Sequence, residues 1–193
     1  MNICSYTYEE FLNLVRSFHG HVAPGVIIGG FMVDLALATL QAEEPAGAIC
    51  ETSSCLPDAI QLLTPCTIGN GRLKVVNIGR FALAVWAKNQ GKAIRVFLDP
   101  AKLAAWPAIN AWFLKLKPKK EQDSKAMKKE IKEAGSQICS FHHVKLNPAF
   151  VTGESHVLYG ICPTCKELYP TVHGVRCLAC QGKAPYIKSP TKD

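Results

Sequence analysis

Two pairs of cysteines near the C-terminus have the spacing of a metal site. Cys162 and Cys165 form one C-x2-C pair, Cys177 and Cys180 form another, and eleven residues separate the pairs. Two tight turns of this kind can surround one ion with four thiolates, which zinc accepts in closed structural sites. The spacing predicts one structural Zn2+; a similarly ligated iron and two unrelated redox pairs are the alternatives. A closed site has no open position for a substrate, so we do not expect it to be catalytic.

A second group of metal-binding and nucleophilic residue types lies in the first half of the chain. His19 and His21 flank a glycine in a predicted turn, so two imidazoles can face one ion or substrate. Cys55 precedes a short predicted helix, whose partial positive charge favours a thiolate. Cys66 and Thr67 lead into a Gly-x-Gly loop whose amides could face an anion. These residues indicate a candidate cleft, with structural histidines and plain buried thiols as the alternative interpretation.

The elements that would position these residues follow from hydrophobic periodicity and turn residues. Helices are predicted at residues 7–18, 24–41, 57–63, 100–116 with an interruption at Pro107, and 119–134. Strands are predicted at residues 48–53, 72–77, 81–88 and 92–98, the last two joined by a tight turn at residues 89–91. The connections among the last three strands are too short for parallel crossovers, which favours an antiparallel meander. Segregated strands and helices predict an α+β fold, an antiparallel-sheet core packed with helices.

The second predicted helix is apolar nearly all round and should be central. The surrounding segment, residues 22–42, is long enough to cross a bilayer, but it carries Asp34, which would cost about 3 kcal/mol at the membrane centre. We therefore predict a buried core helix and no membrane association. Gly25, Gly29 and Gly30 in this helix predict the close approach of another element.

Turn residues also divide the chain. Asn147, Pro148 and Gly153 indicate a linker, which predicts a core domain at residues 1–153 and a small zinc-finger module at residues 154–193. The module is basic, with Lys166, Arg176, Lys183, Lys188 and Lys192.

The composition is that of a globular protein, since 48% of the residues are hydrophobic and 19% are charged, which excludes a disordered chain. The formal charge is +7, and eight lysines lie in one stretch: Lys115, Lys117, Lys119, Lys120, Lys125, Lys128, Lys129 and Lys132. We interpret this stretch as a solvated helix face, with an anionic partner or nucleic acid as the alternative. No aromatic residue lies between these lysines to stack on a base.

Nine cysteines without a recognisable secretory signal indicate a reducing compartment, here the cytoplasm. Three cysteines belong to no motif and are predicted to be small buried side chains: Cys4, Cys50 and Cys139. Four histidines outside the turn are predicted to lie at the surface: His142, His143, His156 and His173.

Three motifs in order make the chain resemble a known family. They are His19-Gly20-His21-x-x-Pro24-Gly25-x-x-x-Gly29, then Cys55-x-x-Asp58-Ala59-Ile60-Gln61, then Thr64-x-Cys66-Thr67-x-Gly69-x-Gly71-x-Leu73. They resemble the FmdE family, which is named after a component of formylmethanofuran dehydrogenase, and the four C-terminal cysteines resemble the treble-clef finger of many members. The resemblance covers most of the chain, and the lysine-rich helices are its least characteristic part.

The resemblance implies an α+β core, a homodimer, and a metal-binding or active-site cleft built from the His19-Gly20-His21 turn and the Cys55 segment. It implies association with a molybdenum or tungsten enzyme or its cofactor, and a second transition metal at His19, His21 and Cys55. Asp58, Gln61 and Thr67, with Cys66, would then be orienting or ligand-binding groups.

Two positions depart from the family pattern. Ala23 stands where the family's turn has a cysteine, and Phe31 stands where the buried helix commonly has an arginine or lysine. Losing a thiol and a cation from one cleft would weaken metal and anion binding, and a catalytic role of that cysteine cannot be transferred to this chain.

Three functions remain open on the sequence alone. The first is a metal-binding accessory protein with a structural zinc finger and a second metal or anionic ligand in the core. The second is an enzyme that uses Cys55 as a nucleophile, with a nearby histidine as base. The third is a zinc-finger module that binds nucleic acid or a protein partner.

Overall fold

The structure is a computed structural model that describes residues 1–41, 44–88, 92–151 and 157–187. The chain divides into two compact units, residues 1–151 and residues 152–193. The division falls close to the predicted domain boundary at residue 153, which lies outside the described residues. The predicted tight turn at residues 89–91, His156, Lys188 and Lys192 also lie outside them.

The first unit, which we call the core unit, mixes helices with short strands. Its strands are β1 (Asn2–Ile3), β2 (Tyr6–Thr7), β3 (Gly47–Cys50), β4 (Leu73–Val75), β5 (Ala82–Trp86), β6 (Lys92–Leu98) and β7 (Cys139–Lys145). Its α-helices are α1 (Tyr8–His19), α2 (Pro24–Leu40), α3 (Leu56–Leu63), α4 (Pro100–Leu103), α5 (Pro107–Phe113), α6 (Ser124–Ala134) and α7 (Pro148–Val151). Short 3-10 turns occupy Lys119–Glu121 and Gly135–Ile138.

The main sheet has five strands in the order β4-β3-β5-β6-β7. All neighbours in it are antiparallel except β3 and β4, which are parallel. The predicted α+β class with an antiparallel-rich sheet is therefore confirmed. The simple meander is wrong, because β3 pairs between β4 and β5. The chain from β3 to β4 contains α3, and such a crossover allows parallel pairing.

The helix α2 is the centre of the core unit. Val26, Ile28, Met32, Val33 and Ala36 on it are fully buried. Gly29 and Gly30 allow its neighbours to approach closely, as predicted. A Cβ at Gly29 would lie 2.7 Å from the Cβ of Ala59 on α3, and one at Gly30 would lie 2.6 Å from the ring of Phe11 on α1. Within the described ranges, no helix is both long and apolar enough to cross a membrane.

Helix ends are held by side chains that fix where the site elements begin. Thr7 and Glu10 form a complete capping box at α1, with the Glu10 carboxylate accepting from the Thr7 amide at 2.8 Å. Glu130 on α6 accepts from the amides of Ala108 and Ile109 at 2.9 and 3.0 Å, so it caps α5 from a different helix. Because the first amides of a helix have no partner within the helix, this contact holds α5 and α6 together.

The second unit, which we call the finger unit, contains a two-stranded sheet of β8 (Tyr159–Ile161) and β9 (Leu168–Pro170). A 3-10 turn at Thr171–His173 and a π-helical turn at Ala179–Lys183 follow. The hydroxyl of Tyr169 donates to the carbonyl of Gly174 at 2.8 Å. Among its described residues, the buried apolar side chains are those of Cys162 and Tyr169, which is too few for a hydrophobic core.

Candidate functional site

Cys162, Cys165, Cys177 and Cys180 meet in the finger unit. Their four sulfur atoms all lie within 4.8 Å of one another, and the Sγ atoms of Cys165 and Cys177 are 3.7 Å apart. Four thiolates bound tetrahedrally at about 2.3 Å from one zinc are about 3.8 Å apart. The donor set and its spacing therefore fit a structural zinc ion.

Backbone amides prepare these sulfurs for a cation. The amide of Cys177 donates to the sulfur of Cys162 at 3.5 Å, and the amide of Cys180 donates to the sulfur of Cys177 at 3.4 Å. Hydrogen bonds from the amides of Cys165 and Cys177 lower the pKa of Cys162 to about 6. Since the thiolate is the form that binds a metal, this local geometry favours metal binding at neutral pH.

A cleft of about 1160 Å³ in the core unit contains the second candidate group. His19, His21 and Cys55 all line it, so the turn after α1 and the residue before α3 are brought together. The two histidine rings lie 4.9 Å apart between centroids. In the described part of the chain, the finger cysteines are the only group of three or more His, Cys, Asp or Glu with ligand atoms mutually within 4.8 Å. The cleft residues therefore share a cavity without forming a preformed metal cage.

Asp58 holds one of the two histidines. Its carboxylate oxygen lies 2.5 Å from Nδ1 of His19, and both side chains are partly buried. A carboxylate at Nδ1 leaves Nε2 as the nitrogen that can bind a ligand, and metal-binding histidines are commonly oriented in this way. Asp58 thus contacts His19 as an orienting group would.

Cys55 has an unusual backbone conformation at the start of α3. Its φ is +56°, a conformation that L residues other than glycine rarely adopt. Gly25 at the start of α2 faces it, since a Cβ at Gly25 would lie 2.9 Å from the Cβ and 3.0 Å from the sulfur of Cys55. Burial, and then the charge of Asp58, raise the pKa of Cys55. The expectation of a thiolate favoured by the start of α3 is therefore wrong, because these two effects exceed that of the short helix.

Three predicted site residues do not line the cleft. The thiol of Cys66 is fully buried and points to the carbonyl of Pro45 at 3.7 Å. Thr67 exchanges hydrogen bonds with Asn70 at 3.1 Å, and Gln61 accepts from the amide of Ile68 at 3.2 Å. These groups stabilise the loop between α3 and β4.

The two departures from the family pattern have different surroundings. Ala23 is buried and lines the cleft next to His21. Phe31 is buried in the core and stacks on Tyr8 at 6.3 Å, and it does not line the cleft. The expectation that Phe31 removes a cation from the cleft is therefore wrong for this geometry.

The other cysteines and histidines also have defined places. Cys50 and Cys139 are buried and Cys4 is half-buried, and burial raises the pKa of Cys4 to about 12, of Cys50 to about 11 and of Cys139 to about 12. His142 and His143 are exposed on β7, as predicted. His173 is half-buried in the finger unit, so its predicted surface position holds only in part.

Sequence reasoning missed the other wall of the cleft. Phe81, Trp112 and Phe113 form an apolar side, and Lys115, Lys117 and Lys128 lie at the rim. Phe113 contacts the ring of Phe81 edge-on at 5.3 Å and that of Trp112 at 5.9 Å. These residues follow no motif, and their only signal was an aromatic pair directly before the lysine-rich stretch.

Comparison with known proteins agrees with this architecture. The family model for FmdE, described as "Molybdenum formylmethanofuran dehydrogenase operon", matches residues 18–146, and the model for the FmdE treble clef zinc finger matches residues 155–187. A solved FmdE-like protein of tungsten formylmethanofuran dehydrogenase, from Syntrophus aciditrophicus, is 49% identical. It superposes with a TM-score of 0.88 over 96% of this chain and 98% of that one.

A curated relative is more distant. A probable S-adenosyl-L-methionine-binding protein of Archaeoglobus fulgidus is 28% identical over 187 residues, which cover 86% of this chain and 51% of that protein. The chain thus spans about half the length of this relative. Because the FmdE model alone matches more than half of the chain, we conclude that the chain belongs to the FmdE family and carries the family's treble-clef zinc finger at its C-terminal end.

Proposed function

We propose that this protein is a metal-binding accessory protein of a molybdenum or tungsten formylmethanofuran dehydrogenase system. The zinc of the finger unit is structural, and the core cleft binds a second, functional ligand. The observation that carries the proposal is the convergence of His19, His21 and Cys55 on one cleft of about 1160 Å³. The names of the family and of its Syntrophus relative support the association with such an enzyme. A homodimer in the cytoplasm belongs to the same proposal; the nine free cysteines support the reducing compartment.

A transition metal is the ligand that the side-chain chemistry of the cleft favours. Imidazole and thiolate suit zinc, nickel and iron, and Asp58 orients the ring of His19 for binding through Nε2. Since the three ligand atoms are not gathered in advance, the metal itself must draw them together. The raised pKa of Cys55 adds the cost of removing a proton. Both effects make this metal weaker than the zinc of the finger.

Metal counting on the full chain tests the proposal. The protein is loaded separately with Zn2+, Ni2+ and Fe2+, dialysed, and its metal content is measured by mass spectrometry. We expect one tightly held zinc and a second, weaker metal per chain. The double variant His19→Ala/His21→Ala should lose only the weaker metal, and Cys177→Ser/Cys180→Ser should lose only the tight one.

Two exposed histidines on β7 provide a matched control. His142→Ala/His143→Ala removes the same two side-chain types from the sheet edge and should keep both metals. A wild-type chain that never exceeds one metal after loading would count against the second site. Equal metal contents in the two histidine variants would do the same.

The raised pKa of Cys55 argues against the thiol-dependent enzyme. A nucleophilic cysteine needs a thiolate at working pH, and burial together with the charge of Asp58 opposes this. The nearby His19 is paired with Asp58, so it is not placed as a base for the thiol. The accessory function therefore has the stronger support.

A further inference from the structure

The cleft continues past His21 into a second groove. This groove has a volume of about 740 Å³, lies along α1 and α6, and shares His21, Val22 and Lys128 with the cleft. Pockets for compact small molecules are typically about 300–1,000 Å³, and the cleft already exceeds that range. The joined space therefore suits an elongated ligand that passes His21.

The groove and the rim of the cleft carry strong positive charge. Their cationic side chains are Arg16, Lys115, Lys117, Lys128, Lys129 and Lys132. Among the described lining residues, Glu9 is the one carboxylate. Lys128 and Lys132 lie one turn apart on α6, so both side chains project from the same face of that helix. The lysine-rich stretch of the sequence thus contributes cations to a concave surface.

Carboxylates of the protein do little to neutralise these cations. Within the ranges that the structure describes, the ion pair among the six is Lys129 with Glu133, at 3.8 Å between exposed side chains. Such exposed pairs are weak. Arg16 donates to the Asn13 side chain at 3.0 Å, and the Lys132 ammonium lies 5.0 Å from the centroid of the Tyr8 ring. A groove with this charge balance concentrates anions, because low-dielectric walls focus its field.

The opposite end of the joined space is apolar. Phe81, Trp112 and Phe113 are half-buried there and form edge-on ring contacts at 5.3 and 5.9 Å. Aromatic walls bind flat rings, whereas ammonium groups bind phosphate or carboxylate. The two ends therefore ask for different parts of one molecule.

We infer that the joined cleft and groove bind an organic polyanion, with a flat ring against Trp112 and an anionic tail of phosphates or carboxylates along Lys128 and Lys132. This inference rests on the proposed function in one respect, that the core cleft is a ligand site. It adds the chemical class of the ligand and the direction in which it lies.

Calorimetric titration of the full chain tests the inference with three probes: inorganic tripolyphosphate, ATP and adenosine. ATP combines the flat ring with the tail, and the other probes contain one part each. We expect ATP to bind more tightly than either part. Lys128→Gln/Lys132→Gln should weaken ATP and tripolyphosphate by about tenfold, the equivalent of about 1.4 kcal/mol, and should leave adenosine unchanged. Raising the salt from about 0.01 M to about 0.15 M should weaken tripolyphosphate, because the Debye length falls from about 30 Å to about 8 Å.

Lys120→Gln/Lys125→Gln is the matched control. It removes the same charge from the same stretch, at exposed positions that do not line the groove. Equal affinities of the two lysine variants, or no binding of either polyanion to the wild-type chain, would overturn the inference. Retention of a single-stranded oligonucleotide without binding of ATP or tripolyphosphate would also overturn it.

Metal content measured on the same samples separates this inference from the proposed function. Lys128→Gln/Lys132→Gln should keep both metals. His19→Ala/His21→Ala should lose the core metal and keep tripolyphosphate, since the phosphate-binding lysines are intact. Loss of one property without the other shows which of the two claims has failed.

Discussion

Gly25 shapes the cleft because it stands directly opposite Cys55. The sulfur of Cys55 would lie only 3.0 Å from a Cβ at this position, and the ring of Trp112 would lie 3.7 Å from it. Contacts this short between a Cβ and a sulfur or carbon force a neighbour to move, and Cys55 is tied to the start of α3. The absence of a side chain at Gly25 thus determines where the thiol lies.

We predict that Gly25→Ala destabilises the core unit by about 1–3 kcal/mol, as overpacked sites do, although alanine is the better helix former. The variant should also bind the second metal more weakly, because Cys55 must shift. Urea unfolding followed by tryptophan fluorescence measures the first effect, and metal loading measures the second.

Gly69→Ala is the comparison for this substitution. A Cβ at Gly69 would meet nothing within 4 Å, so the variant should unfold and bind metal like the wild-type chain. If the two variants behave alike, the close approach of Gly25 to Cys55 has no energetic importance.

The start of α1 depends on the capping box of Thr7 and Glu10. The Thr7 side chain accepts from the Glu10 amide, and hydrogen bonds from Thr7 lower the pKa of Glu10 below its ordinary value of 4.5. This helix ends at His19, so its first turn supports the element that carries the histidine turn.

We predict that Thr7→Ala lowers the free energy of unfolding by about 1 kcal/mol at neutral pH and raises the pKa of Glu10 towards 4.5. A lowered carboxyl pKa stabilises the folded state above the unfolded pKa, and that contribution is lost as the pH falls through the folded pKa. The difference between variant and wild type should therefore narrow below pH 4.5. Nuclear magnetic resonance titration of Glu10 measures the shift. An unchanged Glu10 pKa in the variant would contradict this account.

Local signals predicted the elements that depend on local chemistry. The capping box placed α1, and Pro24 placed the start of α2, which the structure has at Pro24–Leu40. β6 was predicted with its observed bounds, Lys92–Leu98, because its apolar residues are dense and a turn precedes it. Pro107 divides the predicted helix of residues 100–116 into α4 and α5.

Elements that depend on distant contacts were not predicted. β7 is largely exposed and carries two histidines, so its seven residues have no strand pattern, and it forms only by pairing with β6. The parallel partner of β3 likewise depends on the crossover through α3. For the same reason the aromatic wall of the cleft was missed: Trp112 reaches the cleft because Glu130 on α6 caps α5.

The finger unit depends on its metal in a way that the core unit does not. Its described residues bury only two apolar side chains, whereas the core unit has a continuous hydrophobic core. A segment that cannot fold by burial takes its folding free energy from the bound ion.

We predict that chelation of zinc unfolds the finger and leaves the core folded. Trypsin should then cleave at Lys166, Arg176 and Lys183 within the finger. The unfolding midpoint seen by tryptophan fluorescence should not change, because Trp86, Trp106 and Trp112 all lie in the core unit. Cys162→Ser should give the same result without a chelator. A shared loss of both signals would show that the two units are not energetically independent.

Cys55 has a consequence for how this protein evolves. At φ +56° a residue with a side chain carries a strain of about 1–3 kcal/mol, which glycine would avoid. Selection for folding alone would therefore favour glycine at this position, and drift would tend to remove the thiol. Only a benefit from the sulfur itself can hold cysteine there, so position 55 records a compromise in which the molecule gives up stability to keep a reactive group facing its cleft.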